Sequence, residues 1–142
     1  MLELIGLYTM AEREGIDIDE FPMSNRVSFS LMDPEDLSCY VAIDPLKLES
    51  SQHEKMVLAH ELGHCMTGSF YNRYATCDVR KRHENHADKW SFSRLVPEPE
   101  LNEAVSAGFT EIWQLAEYFD VPPEYMAKAC HWYKFHNLDV IA

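Results

Sequence analysis

The stretch from Val57 to Cys65 reads VLAHELGHC and sets His60, Glu61 and His64 in an HExxH pattern. Two histidines four residues apart share one face of a helix, about 6 Å apart along its axis. Both imidazoles can then reach one zinc ion at about 2.0–2.1 Å. Glu61 stands beside them, able to meet a water on that ion without becoming a ligand. This is the layout of a zinc-dependent peptide hydrolase. In such a site Glu61 takes a proton from the attacking water and passes it to the leaving amine. A donor to the oxyanion is also needed. Tyr71, Tyr74, His83 and His86 are the candidates, with the loop tyrosines Tyr71 and Tyr74 preferred.

The chain is rich in His and Glu, and at its own composition HExxH arises by chance in roughly 3–4% of shuffles. The surroundings therefore decide. Ser51-Gln-His-Glu54 reads as a capping box with Ser51 as N-cap and Glu54 three residues on. Met56, Val57, Leu58, Ala59 and Leu62 make an apolar helix around the histidines, and Gly68 is a natural stop. A zinc site needs a third protein ligand and an open position. A third histidine six residues after His64 is excluded, because that position is Phe70. The segment from His83 to Asp88 offers another source. Glu84, 20 residues after His64, shares one helix face with Ala87 and Asp88. Glu84 is the first candidate for third ligand, with His83, His86 and Asp88 as alternatives. Asp88 can accept the free N–H of a ligand imidazole.

HELGH, then ENHAD about twenty residues on, then Leu95-Val-Pro97, together resemble the ImmA/IrrE family of small metallopeptidases. The strand-like run from Cys39 to Pro45 is similar as well. The resemblance covers roughly residues 27–101. It implies a zincin-like α+β fold, a small antiparallel sheet packed on an active-site helix with further helices. It implies one Zn2+ per chain on His60, His64 and Glu84, with Glu61 as base. It further implies that the substrate is a helix-turn-helix repressor encoded on a prophage or mobile element. Trp90-Ser-Phe-Ser-Arg94 departs from the more Ala-rich run usual there.

At 142 residues the chain fits one domain with a core. Residues 1–100 read as the metallopeptidase core and 101–142 as a helical extension packed in the same domain. No run of 18 apolar residues exists, so no membrane span is expected. The N-terminus has no basic segment before its apolar residues and does not read as a signal peptide. Cys39, Cys65, Cys77 and Cys130 are scattered and read as reduced thiols of a cytoplasmic protein. A structural zinc on Cys65 and Cys77 is the weaker reading, since Cys65 follows His64 and turns away from the ligand face. Net charge is −12, and residues 1–50 hold 11 acids against 3 bases. Such a chain repels phosphate backbones, which argues against direct nucleic-acid binding. Bases gather near the site instead: Arg73, Arg80, Lys81, Arg82 and Lys89. They read either as a docking surface or as a solvated face.

Along the chain, residues 2–15 read as a helix stopped by Gly15, and Asp17 to Ser24 as an acidic turn. Val27, Phe29 and Leu31 alternate with serines as a half-buried strand. Tyr40 to Ile43 form a second strand, pairing with the first as an antiparallel hairpin. A sheet edge beside a zinc cleft can hold an extended peptide by strand addition. Residues 69–80 read as a polar loop, the Glu84 helix runs to about Leu95, and Pro97 and Pro99 end it. Thr110 to Phe119 and Val121 to about Phe135 read as two last helices. This pair resembles a DNA-binding layout, but residues 109–142 carry five acids and two lysines, which favours a packing or partner surface. Three functions stay in view. The first is an endopeptidase acting on a repressor. The second is a peptidase of broader specificity. The third is a non-catalytic zinc-fold module that binds a regulator protein.

Overall fold

A computed structural model describes residues 2–136, without the side chains of residues 135 and 136. The end of the expected helical extension, 137–142, lies outside the described residues. Six helices and a three-stranded mixed sheet make an α+β fold. In order these are α1 (Leu4–Arg13), β1 (Asp17–Glu20), β2 (Ser28–Met32), β3 (Cys39–Ile43), α2 (Ser51–Thr67), α3 (Cys77–Leu95), α4 (Glu98–Ser106), α5 (Ile112–Phe119) and α6 (Pro123–His136). No helix among the described residues is long and apolar enough to cross a membrane.

The sheet order is β1-β3-β2. β2 and β3 form the expected antiparallel pair, with Ser28 opposite Ile43 and Met32 opposite Cys39. The acidic turn expected at Asp17 is instead β1, which pairs with β3 in parallel. Its acids do not prevent this, because they project from an edge into water and only Ile18 is half-buried. β3 is central, and Val41, Ala42 and Ile43 are buried.

Helix α2 is the hub and packs against α1, α3, β2 and β3. Val57, Leu58, Ala59 and Leu62 are buried in the core. The N-cap is Ser50 rather than Ser51: its hydroxyl accepts from the His53 amide at 3.0 Å. Glu54 does not reach back to close a capping box. Its carboxylate accepts from the Tyr8 hydroxyl of α1 at 2.5 Å, a tertiary partner that the sequence does not reveal. At the other end Gly68 adopts φ 65°, and its amide closes on the His64 carbonyl. Lys55 is 2% exposed, and its ammonium donates to the Phe119 carbonyl at the end of α5 at 2.9 Å. Burial holds its pKa below the usual lysine range.

Helix α3 begins at Cys77, capped by the Thr76 hydroxyl, so its first turn takes the end of the expected polar loop. Pro97 and Pro99 end α3 and also begin α4, a helix that the sequence pattern does not announce. Proline is suited to a first helical turn, where its missing N–H is not needed. Leu101, Ala104, Leu115, Phe119, Met126 and Tyr133 of α4–α6 belong to the same buried cluster as Leu58 and Leu62.

The approach of α2 to α3 has almost no slack. A Cβ on Gly63 would stand 2.5 Å from the Ala87 carbonyl oxygen, which is backbone and cannot swing away. Gly63→Ala should therefore destabilise the fold by at least about 2 kcal/mol, lowering Tm by roughly 5 °C or more. Thermal unfolding followed by circular dichroism checks this. An unchanged Tm would mean that the helices are free to move apart.

Candidate metal centre and active-site cleft

Helix α2 supplies His60, Glu61 and His64, and α3 supplies Glu84 and Asp88. The candidate ligand atoms of His60, His64 and Glu84 all lie within 4.8 Å of one another. His60 Nε2 is 2.9 Å and His64 Nε2 3.0 Å from Glu84 Oε2, and the two Nε2 atoms are 3.3 Å apart.

Each imidazole is held by its other nitrogen. His60 Nδ1 donates to Asp88 Oδ1 at 3.0 Å, and His64 Nδ1 donates to the Ser69 carbonyl at 2.5 Å. A carboxylate and a carbonyl both accept, so each Nδ1 carries a hydrogen, and a metal would take the Nε2 positions in place of any hydrogen shared there with Glu84. Two neutral imidazoles and a carboxylate converging on one point form a donor set suited to zinc. Of the open alternatives, His86 is exposed and sits edge-on to His83, at 6.2 Å between ring centres. His83 stacks on Tyr71 at 6.1 Å, and its buried Nδ1 has no hydrogen-bond partner among the described residues.

Without metal the trio is knit by charge. Burial opposes a charged His60, but its bonds to Asp88 and Glu84 outweigh burial and push its pKa up to about 10. Burial also opposes a charged His64, and the bonds to Glu84 and the Ser69 carbonyl raise its pKa nonetheless. The bonds from His60 and His64 hold the Glu84 carboxyl well below the usual carboxylate range.

Glu61 is 7% exposed and accepts from the Ser28 hydroxyl of β2 at 2.6 Å. A cleft of about 520 Å³ opens over these groups. It is lined by β2 from Ser28 to Leu31, by His60, Glu61, His64 and Glu84, by Phe70 and Tyr71, and by Arg26, Arg73 and Arg80. Tyr71 is brought to the site, and its hydroxyl donates to Glu84 Oε1 at 2.7 Å. Tyr74 is not: it is 79% exposed, accepts from Arg73 at 2.7 Å and does not line the cleft. Cys65 and Cys39 are free thiols that hydrogen-bond to each other, and Cys77 is exposed.

Sequence reasoning missed Ser28, Ser69 and Arg26. Ser69 could have been suspected, because Gly68 turns the chain back on α2 and the Ser69 amide also closes on the His64 carbonyl at 3.1 Å. Ser28 had no local signal, since its partner is 33 residues away.

A family model described as the IrrE N-terminal-like domain, peptidase M78, matches residues 11–131. The chain belongs to this family. Its matched span takes in every residue of the cleft, and membership makes it a metallopeptidase-type domain with a protein substrate class. No curated protein matches the chain. In this M78 domain the His60, His64 and Glu84 group is the set that can hold a metal among the described residues.

Two outcomes follow for metal binding. Protein purified without added metal should carry about one zinc per chain, and Glu84→Ala should lose most of it, as read by atomic emission. The pH dependence has a definite sign. His60 stays protonated up to about pH 10 in the metal-free protein, so zinc must displace that proton. Affinity should rise with pH, about tenfold per unit for each proton released, between about pH 6 and 8. Calorimetry in buffers of different ionisation enthalpy counts those protons. A pH-independent affinity would remove His60 from the ligand set.

Proposed function

We propose that the chain is a zinc-dependent endopeptidase whose ligands are His60, His64 and Glu84 and whose general base is Glu61. The observation that carries this reading is the meeting of both Nε2 atoms on Glu84 Oε2, with the Glu61 carboxylate on the same helix beside them. A bound zinc ion supplies Lewis acidity, making water acidic enough to attack at neutral pH and polarising the peptide carbonyl.

The chain's own residues supply the rest. Asp88 and the Ser69 carbonyl fix the imidazole tautomers. Ser28 holds one oxygen of Glu61, so the other is left to take the proton of the attacking water. Glu61 then returns that proton to the leaving nitrogen. Tyr71 is the one tyrosine among the described cleft-lining residues and is our choice of oxyanion donor. The free edge of β2 offers backbone groups to an extended segment of the substrate. The substrate we infer is a helix-turn-helix repressor of a prophage or mobile element, as the resemblance of the HELGH, ENHAD and Leu95-Val-Pro97 motifs implies.

Glu61→Gln should keep its zinc and lose cleavage by about a hundredfold or more. The test is to incubate zinc-loaded protein with the repressor encoded beside it and to map products by mass spectrometry. One cut, absent with Glu61→Gln, is the expected result. Equal cutting of unrelated proteins would replace the repressor by a broad substrate range. Full activity in Glu61→Gln would sink the base assignment.

A further inference from the structure

Arg26, Arg73 and Arg80 all line the cleft, in a chain with 12 bases and 24 acids. Among the described residues the only acids lining it are Glu61 and Glu84, both assigned to the reaction. None of the three guanidinium groups has a carboxylate within ion-pairing distance among the described residues.

Arg80 is fixed by neutral partners instead. Its Nε donates to the Ala75 carbonyl at 3.0 Å and a second nitrogen donates to the Arg73 carbonyl, with the guanidinium 5.8 Å from the Tyr71 ring centre. Arg73 donates to the Tyr74 hydroxyl. Carbonyls and a phenol position these charges without neutralising them. Arg26 is held through its backbone. Its carbonyl accepts from Lys47 Nζ at 3.1 Å, and the next carbonyl, of Val27, accepts from the Asp44 amide at 2.8 Å. In an acidic protein, three exposed guanidinium groups lining one cleft, without acid partners among the described residues, form a site that attracts an anion.

We propose that Arg26, Arg73 and Arg80 form a subsite for a substrate carboxylate on the C-terminal side of the scissile bond. This rests on the endopeptidase reading above. The side follows from strand direction. A segment added to β2 takes the slightly more stable antiparallel pairing. Ser28 touches Glu61, so the scissile bond lies beside Ser28. Arg26 precedes Ser28 in the chain, and an antiparallel segment runs toward Arg26 with its C-terminal residues. Phe29 and Leu31, on the far side of Ser28, then meet residues before the bond. The carboxylate belongs either to an Asp or Glu side chain or to a chain terminus.

The test uses four fluorescein-labelled decapeptides. Two carry Glu and two carry Gln, two residues past the centre, each pair with a free or an amidated C-terminus. Binding to zinc-loaded Glu61→Gln protein is read by anisotropy, so the result does not require cleavage. We expect the Glu peptides to bind about fivefold to tenfold more tightly than the Gln peptides whatever the terminus, with the ratio falling to near one in Arg26→Ala. Preference for the free terminus alone, also lost in Arg26→Ala, would assign the subsite to a terminal carboxylate. Equal binding of all four peptides, or a preference that survives Arg26→Ala and Arg73→Ala, would overturn the proposal. Cleavage of the repressor by wild-type protein tests the endopeptidase reading separately: peptide preference without any repressor cleavage would retain the anion site and reject the peptidase.

Discussion

The site depends on how closely α2 and α3 can approach. Gly63 lacks a Cβ, and the Ala87 backbone occupies the space that a Cβ would need. The helical repeat turns this contact into a ruler. His60 lies three residues before Gly63 and Glu84 three before Ala87, while His64 and Asp88 each follow by one. Ligands within a turn of the contact inherit its separation. A methyl group at Gly63 would push apart groups that must meet at about 2 Å from one ion. Sites built on packed helices hold such tolerances better than loops do. Loop residues here only tune what the helices position, as the Ser69 carbonyl does for His64.

Charge is the second constraint. Two imidazoles and a carboxylate cannot be gathered in a half-buried cleft without a cation among them. In the metal-free protein a proton meets that need, which is why the pKa of His60 rises while that of Glu84 falls. Asp88 serves either state, since it accepts from His60 Nδ1 whether the cation on Nε2 is a proton or a metal. A metal held by these three side chains would take the place of that proton.

Spacing made the ligand helices legible. Residues four apart on α2, and Glu84 with Asp88 on α3, announce themselves by periodicity alone. What escaped was whatever depends on partners distant in sequence. Ser50 rather than Ser51 caps the helix, and the Glu54 carboxylate that would have closed the other box accepts from Tyr8, 46 residues away. β1 looks like a turn because its acidic, exposed residues carry no core signal, yet β3 supplies a parallel partner for each of them. α4 was hidden because two prolines read as an ending when they also serve as a beginning. Lys55 reads as a surface residue until the end of α5 is folded over it.

The sheet's two edges show how the fold directs an incoming strand. An open edge with unpaired backbone groups invites any extended chain, and proteins blunt it with charge. β1 carries Asp17, Asp19 and Glu20 in four residues, so a strand approaching that edge meets a row of negative charge. β2 has no charged residue from Ser28 to Met32. The loop leading into it is pinned: Asp44 accepts from the Met23 amide at 2.9 Å, and the Lys47 ammonium donates to the carbonyls of Met23 and Arg26. The edge left open is therefore rigid, neutral and in contact with Glu61 through Ser28. Backbone groups that would be a liability elsewhere here lie along the wall of the cleft, where a segment paired with them would run past Glu61.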